Sequence, residues 1–189
     1  MDKDGGIVGV GTGQIISCYN VGKVYIEYGN SNIGGIVGAL YEEGKVENCY
    51  NLGEISGAKY SAGGIVGLNQ GDSINKCYNL GVVKGDSQVG GIAGANYSEV
   101  KDSYSIIGEK SDSGSFGAIA GSNNNLGKIS NCYYSEDMPA IGEGNGEVTN
   151  VKKLNSQNMP SVMSVINANN DFKEDTNDIN NGYPILEWQ

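Results

Sequence analysis

Gly34-Gly35-Ile36-Val37-Gly38, followed by Gly44-Lys45-Val46-Glu47-Asn48-Cys49-Tyr50-Asn51-Leu52-Gly53-Glu54-Ile55-Ser56-Gly57, is a unit that recurs from the N-terminus to about residue 134. Its glycine-led start returns as Gly5-Gly6-Ile7-Val8-Gly9, Gly63-Gly64-Ile65-Val66-Gly67 and Gly90-Gly91-Ile92-Ala93-Gly94, with a worn fifth copy at Phe116-Gly117-Ala118-Ile119-Ala120-Gly121. The first glycines fall at 5, 34, 63 and 90. A second element follows each copy: Cys18-Tyr19-Asn20, Cys49-Tyr50-Asn51, Cys77-Tyr78-Asn79, Ser103-Tyr104-Ser105 and Cys132-Tyr133-Tyr134. Length varies only in Gly/Ser/Asn/Asp-rich connectors, where surface loops tolerate insertion.

Each unit holds three short apolar runs, for example Ile36-Val37, Val46 to Tyr50, and Ile55. Runs this short, β-branched and aromatic, bounded by turn formers, predict strands. Asn51-Leu52-Gly53 has the chemistry of a turn. One unit cannot bury its apolar side alone, whereas stacked units can. The expected fold is therefore all-β: a parallel β-helix or β-solenoid of about five coils, three strands each, at a spacing of roughly 4.8 Å. An antiparallel sandwich of short strands is the rival, but it gives no reason for near-identical residues at a fixed period. Stacking does, by placing Ile36, Ile65 and Ile92 in one column.

These residues resemble the GLUG repeat, whose pattern runs Gly-Gly-Leu-Val-Gly, a spacer, Gly-x-Ile, a small residue before Tyr, then Gly-x-Val-x-Gly. The resemblance covers about residues 5 to 134, and its cleanest copy is Gly64-Ile65-Val66-Gly67, Ile74, Cys77-Tyr78, Gly81, Val83 and Gly85. Cys replaces the family's usual Ser and Ile its Leu, which keeps those side chains small or apolar. The resemblance implies a repeat module of large bacterial cell-surface or secreted proteins, including adhesin-like proteins and non-catalytic regions of IgA-specific metallopeptidases. An extracellular or cell-surface setting follows as an expectation. Likeness of fold does not transmit function.

The chain has 189 residues, 31 of them Gly and only three Pro. Twelve basic residues, all Lys, face 22 acidic ones, for a formal net charge of −10. That balance disfavours nucleic acid, which needs a basic footprint, and anionic membrane surfaces. No stretch is long and apolar enough to span a bilayer. Met1-Asp2-Lys3-Asp4 lacks the apolar centre of a signal peptide and enters a repeat almost at once. The expectation is a monomeric segment of a longer chain whose export signal lies upstream.

Cys18, Cys49, Cys77 and Cys132 occupy one repeat position, with Ser103 as the remaining rung. In-register neighbours point the same way about 4.8 Å apart, which fits stacked thiols better than disulfides. No His and no CxxC occur, and a single column cannot surround a metal tetrahedrally. No metal or cofactor is expected. A Cys nucleophile would need a base. Alternation puts Cys and Tyr on opposite faces. Shared parity of Cys49 and Ile55 favours Cys inside, unless the corner at Asn51 resets parity and Tyr packs inward. An outward tyrosine column would make Tyr19, Tyr50, Tyr78 and Tyr104 candidate glycan contacts, against the plainer reading that they cover apolar neighbours.

After Tyr134 the pattern stops. Residues 135–148 read as a loop, and residues 149–189 as a capping segment of helix plus hairpin. Val151-Lys152-Lys153-Leu154 reads as a helical turn, and residues 160–167 as a short helix opened by Pro160. Asp171-Phe172-Lys173 and Tyr183-Pro184-Ile185-Leu186-Glu187-Trp188 read as strand pieces around the Asn180-Asn181-Gly182 turn. The ending resembles the segment that closes such repeats. Residues 175–182 fit a calcium loop poorly, with Ile179 and Asn180 at positions wanting a ligand and Gly.

No residue cluster names a reaction, so the leading expectation is a non-catalytic structural or adhesive module, a rigid spacer or binding face, whose partner is a surface protein or glycan. The alternative is a polysaccharide-binding or polysaccharide-degrading β-helix, but Glu42, Glu43, Glu47 and Asp72 form no persuasive catalytic pair. Flat threonine ranks for ice binding are missing, with Thr only at 12, 149 and 176.

Overall fold

The computed structural model describes residues 2–27, 31–106, 114–135, 138–154 and 172–189. It falls into two compact units, Met1–Lys153 and Leu154–Gln189. The first is an all-β parallel solenoid of about four turns. Its first coil comprises β1 (Asp2–Gly5), β2 (Val8–Gly11), β3 (Gln14–Ile16), β4 (Tyr19–Asn20) and β5 (Val24–Tyr25). The second repeats this as β6 (Ser31–Gly34), β7 (Val37–Tyr41), β8 (Lys45–Glu47), β9 (Tyr50–Asn51) and β10 (Ile55–Ala58). Every pairing in this unit is parallel: Gly5 aligns with Gly34, Val8 with Val37, Ile15 with Val46, Tyr19 with Tyr50 and Val24 with Ile55. The sandwich is excluded by that pattern, and the isoleucine column is present, with Ile36 N–H donating to Ile65 O and Ile65 N–H to Ile92 O, both at 3.0 Å.

Two expectations about the coil need correction. A coil has up to five short strands rather than three, because the chain turns more often than its apolar runs suggest. The stack also does not consist of five equal coils. The sheet begun by β1 holds five strands and so spans four turns, while the sheet begun by β5 holds three among the described residues.

Two of the corners explain the sequence. At the first, Gly34 and Gly35 lie where backbone crowds backbone. A Cβ on Gly64, the equivalent of Gly35, would overlap the Gly91 carbonyl and the Asn79 side chain. At the second, the residue before each Cys-Tyr pair adopts a left-handed conformation: Ser17, Asn48, Lys76, Asp102 and Asn131, with φ between 47 and 53. Asn and Asp tolerate this region best among non-glycine residues. Inside, two apolar columns run along the stack. One is built on Ile36, Val46, Cys49 and their equivalents in later coils. The other contains Ile33, Ile55, Ala62, Val83, Val89 and Phe116.

Residues 135–148, expected as loop, contain strands at Ile141–Gly144 and Glu147–Thr149 that continue the sheets begun by β2 and β3. Lys152–Lys153 is likewise a strand, not a helical turn, and pairs with Tyr133-Tyr134. Asn150 repeats the left-handed corner with φ 54. A further partial coil thus lies beyond the recognised repeats. Its hidden signal is Gly146-Glu147-Val148-Thr149-Asn150-Val151-Lys152, which follows Gly44-Lys45-Val46-Glu47-Asn48-Cys49-Tyr50 in the apolar and corner positions but lacks the Cys-Tyr pair.

The second unit contains an antiparallel pair, Phe172 with Leu186 and Lys173 with Ile185. That agrees with the expected hairpin. The helix expected at residues 160–167 lies outside the described residues. No helix occurs among the described residues, and none long and apolar enough to cross a membrane.

Candidate functional site

The tyrosine column is the candidate the sequence singles out. Tyr19, Tyr50, Tyr78 and Tyr104 stack ring on ring, with centroids 5.2, 5.0 and 5.0 Å apart and interplanar angles of 8°, 3° and 5°. Tyr78 is 0% exposed, and Tyr50, Tyr104 and Tyr133 are buried too. The expectation of an outward sugar-stacking platform is therefore corrected for Tyr50, Tyr78 and Tyr104, because their ring faces are used on one another. Of these four, Tyr19, at 51% exposure, is the one that presents its ring to solvent. Alternation set the two columns on opposite faces, with one outside or at a corner unless the corner at Asn51 reset parity; beyond the first coil both the Cys and the Tyr columns are buried.

The cysteine column lies in the core as expected. Cys49, Cys77 and Cys132 are buried, Cys18 is half-buried, and all four are free thiols. Each buried Sγ donates to the carbonyl two residues earlier: Cys49 to Glu47 O at 3.2 Å, Cys77 to Asn75 O at 3.1 Å, Cys132 to Ser130 O at 3.2 Å. Ser103 takes its rung in the same way, its Oγ donating to Lys101 O at 2.7 Å while accepting from Cys77 N–H at 3.1 Å. Burial pushes the Cys132 thiol up to about 12 and raises Cys77 as well. Protonated, enclosed thiols such as these two are poor nucleophiles and poor metal ligands; Cys49 is lowered instead, chiefly by its hydrogen bond with Cys77.

Two asparagine ladders escaped the sequence reading. In the first, Asn20 Nδ2 donates to Asn51 Oδ1 and Asn51 Nδ2 to Asn79 Oδ1, both at 2.7 Å. Each Asn also closes its own turn: Asn51 Nδ2 donates to Gly53 O at 2.9 Å, and Gly53 N–H donates to Asn51 Oδ1 at 3.2 Å. In the second, Asn69 Nδ2 donates to Asn96 Oδ1 at 2.7 Å and Asn96 Nδ2 to Asn123 Oδ1 at 2.9 Å. The overlooked signal is an Asn at a fixed offset after Gly63, Gly90 and Gly117.

The acidic candidates do not converge. Asp72 pairs with Lys45 at 3.0 Å, and Glu47 with Lys76 at 3.5 Å, in solvent-accessible ion pairs. In the tail loop, Asp175 Oδ1 accepts from Ile179 N–H at 2.8 Å, and Oδ2 from Asn180 and Gly182 N–H at 2.6 and 3.1 Å. What burial there is works against its charge, but these backbone donors outweigh it and hold the carboxyl below its usual range. The carboxylate is engaged in closing its own loop rather than open for a cation. No cluster of three potential metal-ligating side chains occurs among the described residues.

The GLUG motif model matches residues 29–56, which include most of the second coil. No curated protein matches the chain significantly. Among solved structures it is similar to that of a "putative immunoglobulin A1 protease" from Bacteroides ovatus, with a TM-score of 0.64 and 26% identity. That similarity covers 94% of this chain but 58% of the other. The matched unit pairs strand by strand with the copies on either side of it, so the motif, the register and the structural likeness agree: the chain is a GLUG-repeat protein.

Proposed function

We propose that this chain is a non-catalytic structural module of a bacterial surface or secreted protein, holding neighbouring parts at a set distance or presenting a binding face. The observation that supports this reading is the use of its distinctive side chains along the stacking direction: isoleucines, thiols, amides and tyrosine rings each bond or pack to the same residue type one coil away. Side chains so engaged stiffen a scaffold. The likeness to the Bacteroides ovatus structure fits a repeat region of a protease-like surface protein. The partner in this reading is a host or cell-surface protein or glycan.

The test is a binding screen of the chain on glycan and extracellular-protein arrays, run beside peptidase and polysaccharide-hydrolysis panels. Saturable binding without turnover, or no binding with strong protease resistance of residues 31–106, is the expected result. Turnover abolished by changing one carboxylate, such as Asp72→Asn, would overturn the proposal.

A further inference from the structure

The cysteine column has two unequal parts. Cys18, Cys49 and Cys77 stand on three successive coils, each just before a tyrosine of the aligned set Tyr19, Tyr50 and Tyr78, whereas Ser103 separates them from Cys132. The three sulfurs share one orientation: Cys18 Sγ donates to Ile16 O at 3.4 Å, Cys49 Sγ to Glu47 O at 3.2 Å and Cys77 Sγ to Asn75 O at 3.1 Å. Side chains so aligned on in-register strands set their sulfurs about one strand spacing apart, roughly 4.8 Å. The Cys18 and Cys49 side chains are close enough to hydrogen-bond one another, and Cys18 N–H donates to Cys49 Sγ at 3.3 Å.

A single column cannot surround a metal tetrahedrally. A soft closed-shell cation does not require that, because it is satisfied by two thiolates in line. At the length of a zinc–thiolate bond, about 2.3 Å, two such bonds end to end span about 4.6 Å, close to the coil spacing. Thiolate ligands select soft ions such as copper(I) over hard ones. Cys49 and Cys77 are fully enclosed, whereas Cys18 is half-buried. The pair Cys18–Cys49 is therefore the one an ion can reach. The N–H of Cys18 aimed at Cys49 Sγ favours the charged form of that sulfur.

We propose that Cys18 and Cys49 form a two-coordinate site for a soft monovalent cation of the copper(I) class, held along the stacking direction between the first two coils. Two sulfur–metal bonds form, two S–H bonds break, and both protons go to solvent. No oxidation state changes. Glu47 O, which gives up its S–H donor, still accepts from Ser17 N–H at 3.1 Å. The inference rests on the sulfur column and not on the spacer or binding reading, so either can fail alone.

The probe is silver(I) nitrate in chloride-free buffer, since silver(I) shares the linear preference and does not oxidise thiols. Native mass spectrometry counts the ions bound to the reduced full chain, and the ultraviolet thiolate-to-metal band, followed against a competing chelator, gives the affinity. Cys18→Ser, Cys49→Ser, Cys77→Ser and Cys132→Ser are compared, with circular dichroism as the check of fold; serine already fills this rung at Ser103. The expected result is one ion per chain, kept in Cys77→Ser and Cys132→Ser. In Cys18→Ser and Cys49→Ser the affinity should fall by more than the roughly 10–100-fold that disturbing a ligand's hydrogen-bond partner costs. If Cys49→Ser does not fold, Cys18→Ser carries the comparison. No uptake by the native chain at one equivalent would overturn the proposal. Full affinity in Cys18→Ser would do so too, as would a loss in Cys132→Ser equal to that in Cys49→Ser.

Discussion

Lys76 occupies the left-handed corner where other coils place Asn48, Asp102 and Asn131. An ordinary side chain in that conformation costs about 1 kcal/mol, and Asn relieves part of it. Those polar residues also bond along the column: Asn131 Nδ2 donates to Asp102 Oδ1 at 3.1 Å, and Asn150 Nδ2 to Asn131 Oδ1 at 2.8 Å. Lys76→Asn gives up its ion pair with Glu47, worth little near solvent. The expected net effect is a gain of about 0.5 kcal/mol, read from the denaturant midpoint; a loss of stability would show that the corner is not strained. Gly64→Ala is the opposite case. Its φ is not positive, so the difficulty is space: the new methyl meets a backbone carbonyl and the buried Asn79 amide. A cost of about 3 kcal/mol is expected, and a near-neutral melt would mean that the coils can separate to admit it.

At the scale of the element, the turn after each tyrosine depends on the asparagine ladder. Asn51 is fully buried and bonds Gly53 through both its amide groups, besides Asn20 and Asn79. Asn51→Ala leaves those groups unpaired and should cost about 3 kcal/mol, measurable by chemical unfolding; a loss under about 1 kcal/mol would indicate that water takes over the bonds. The ladder is interrupted at Ser105, which aligns with Asn79 and whose buried Oγ has no hydrogen-bond partner among the described residues. Ser105→Asn offers Asn79 Nδ2 an acceptor and is expected to raise stability by about 1 kcal/mol, whereas a lower Tm would show that the site beneath Gly91 cannot hold an amide. Parallel stacking was legible because Gly-Gly-Ile and Cys-Tyr-Asn keep their order and near-constant spacing. The number of strands per coil was not, since a left-handed corner at Asn48 or Lys76 leaves no apolar gap in the sequence. The final partial coil was hidden because Val151 and Lys152 stand in the Cys-Tyr positions: the backbone pairs without them, and packing asks only that Val151 be apolar. The burial of Tyr50, Tyr78 and Tyr104 was hidden for a related reason, because alternation along one strand does not reveal what covers its second face.

For the molecule as a whole, two of the buried thiols, Cys77 and Cys132, set an alkaline limit, while the hydrogen bond from Cys77 holds Cys49 below its ordinary value. The Cys132 thiol moves from an ordinary 9.0 to about 12, and Cys77 moves in the same direction, both chiefly through burial. The folded chain therefore keeps protons that the unfolded chain has released, and stability declines as pH rises from about 9 toward 12. Tyr133, raised by burial and then by its neighbours Cys132 and Asp102, acts in the same sense. Cys132→Ser should fold, since Ser103 fills that rung in another coil, and should flatten the decline of Tm with pH. An unchanged slope would locate the alkaline limit elsewhere.

The tyrosine stack has an optical consequence. Nearly parallel rings whose centres lie 5.0 to 5.2 Å apart couple their transition dipoles, so a photon absorbed by Tyr78 is shared with Tyr50 and Tyr104 before it is emitted. Ultraviolet circular dichroism of the chain should carry the signature of coupled chromophores, and that signal would fade as neighbouring coils part, giving a label-free spectroscopic readout of their separation.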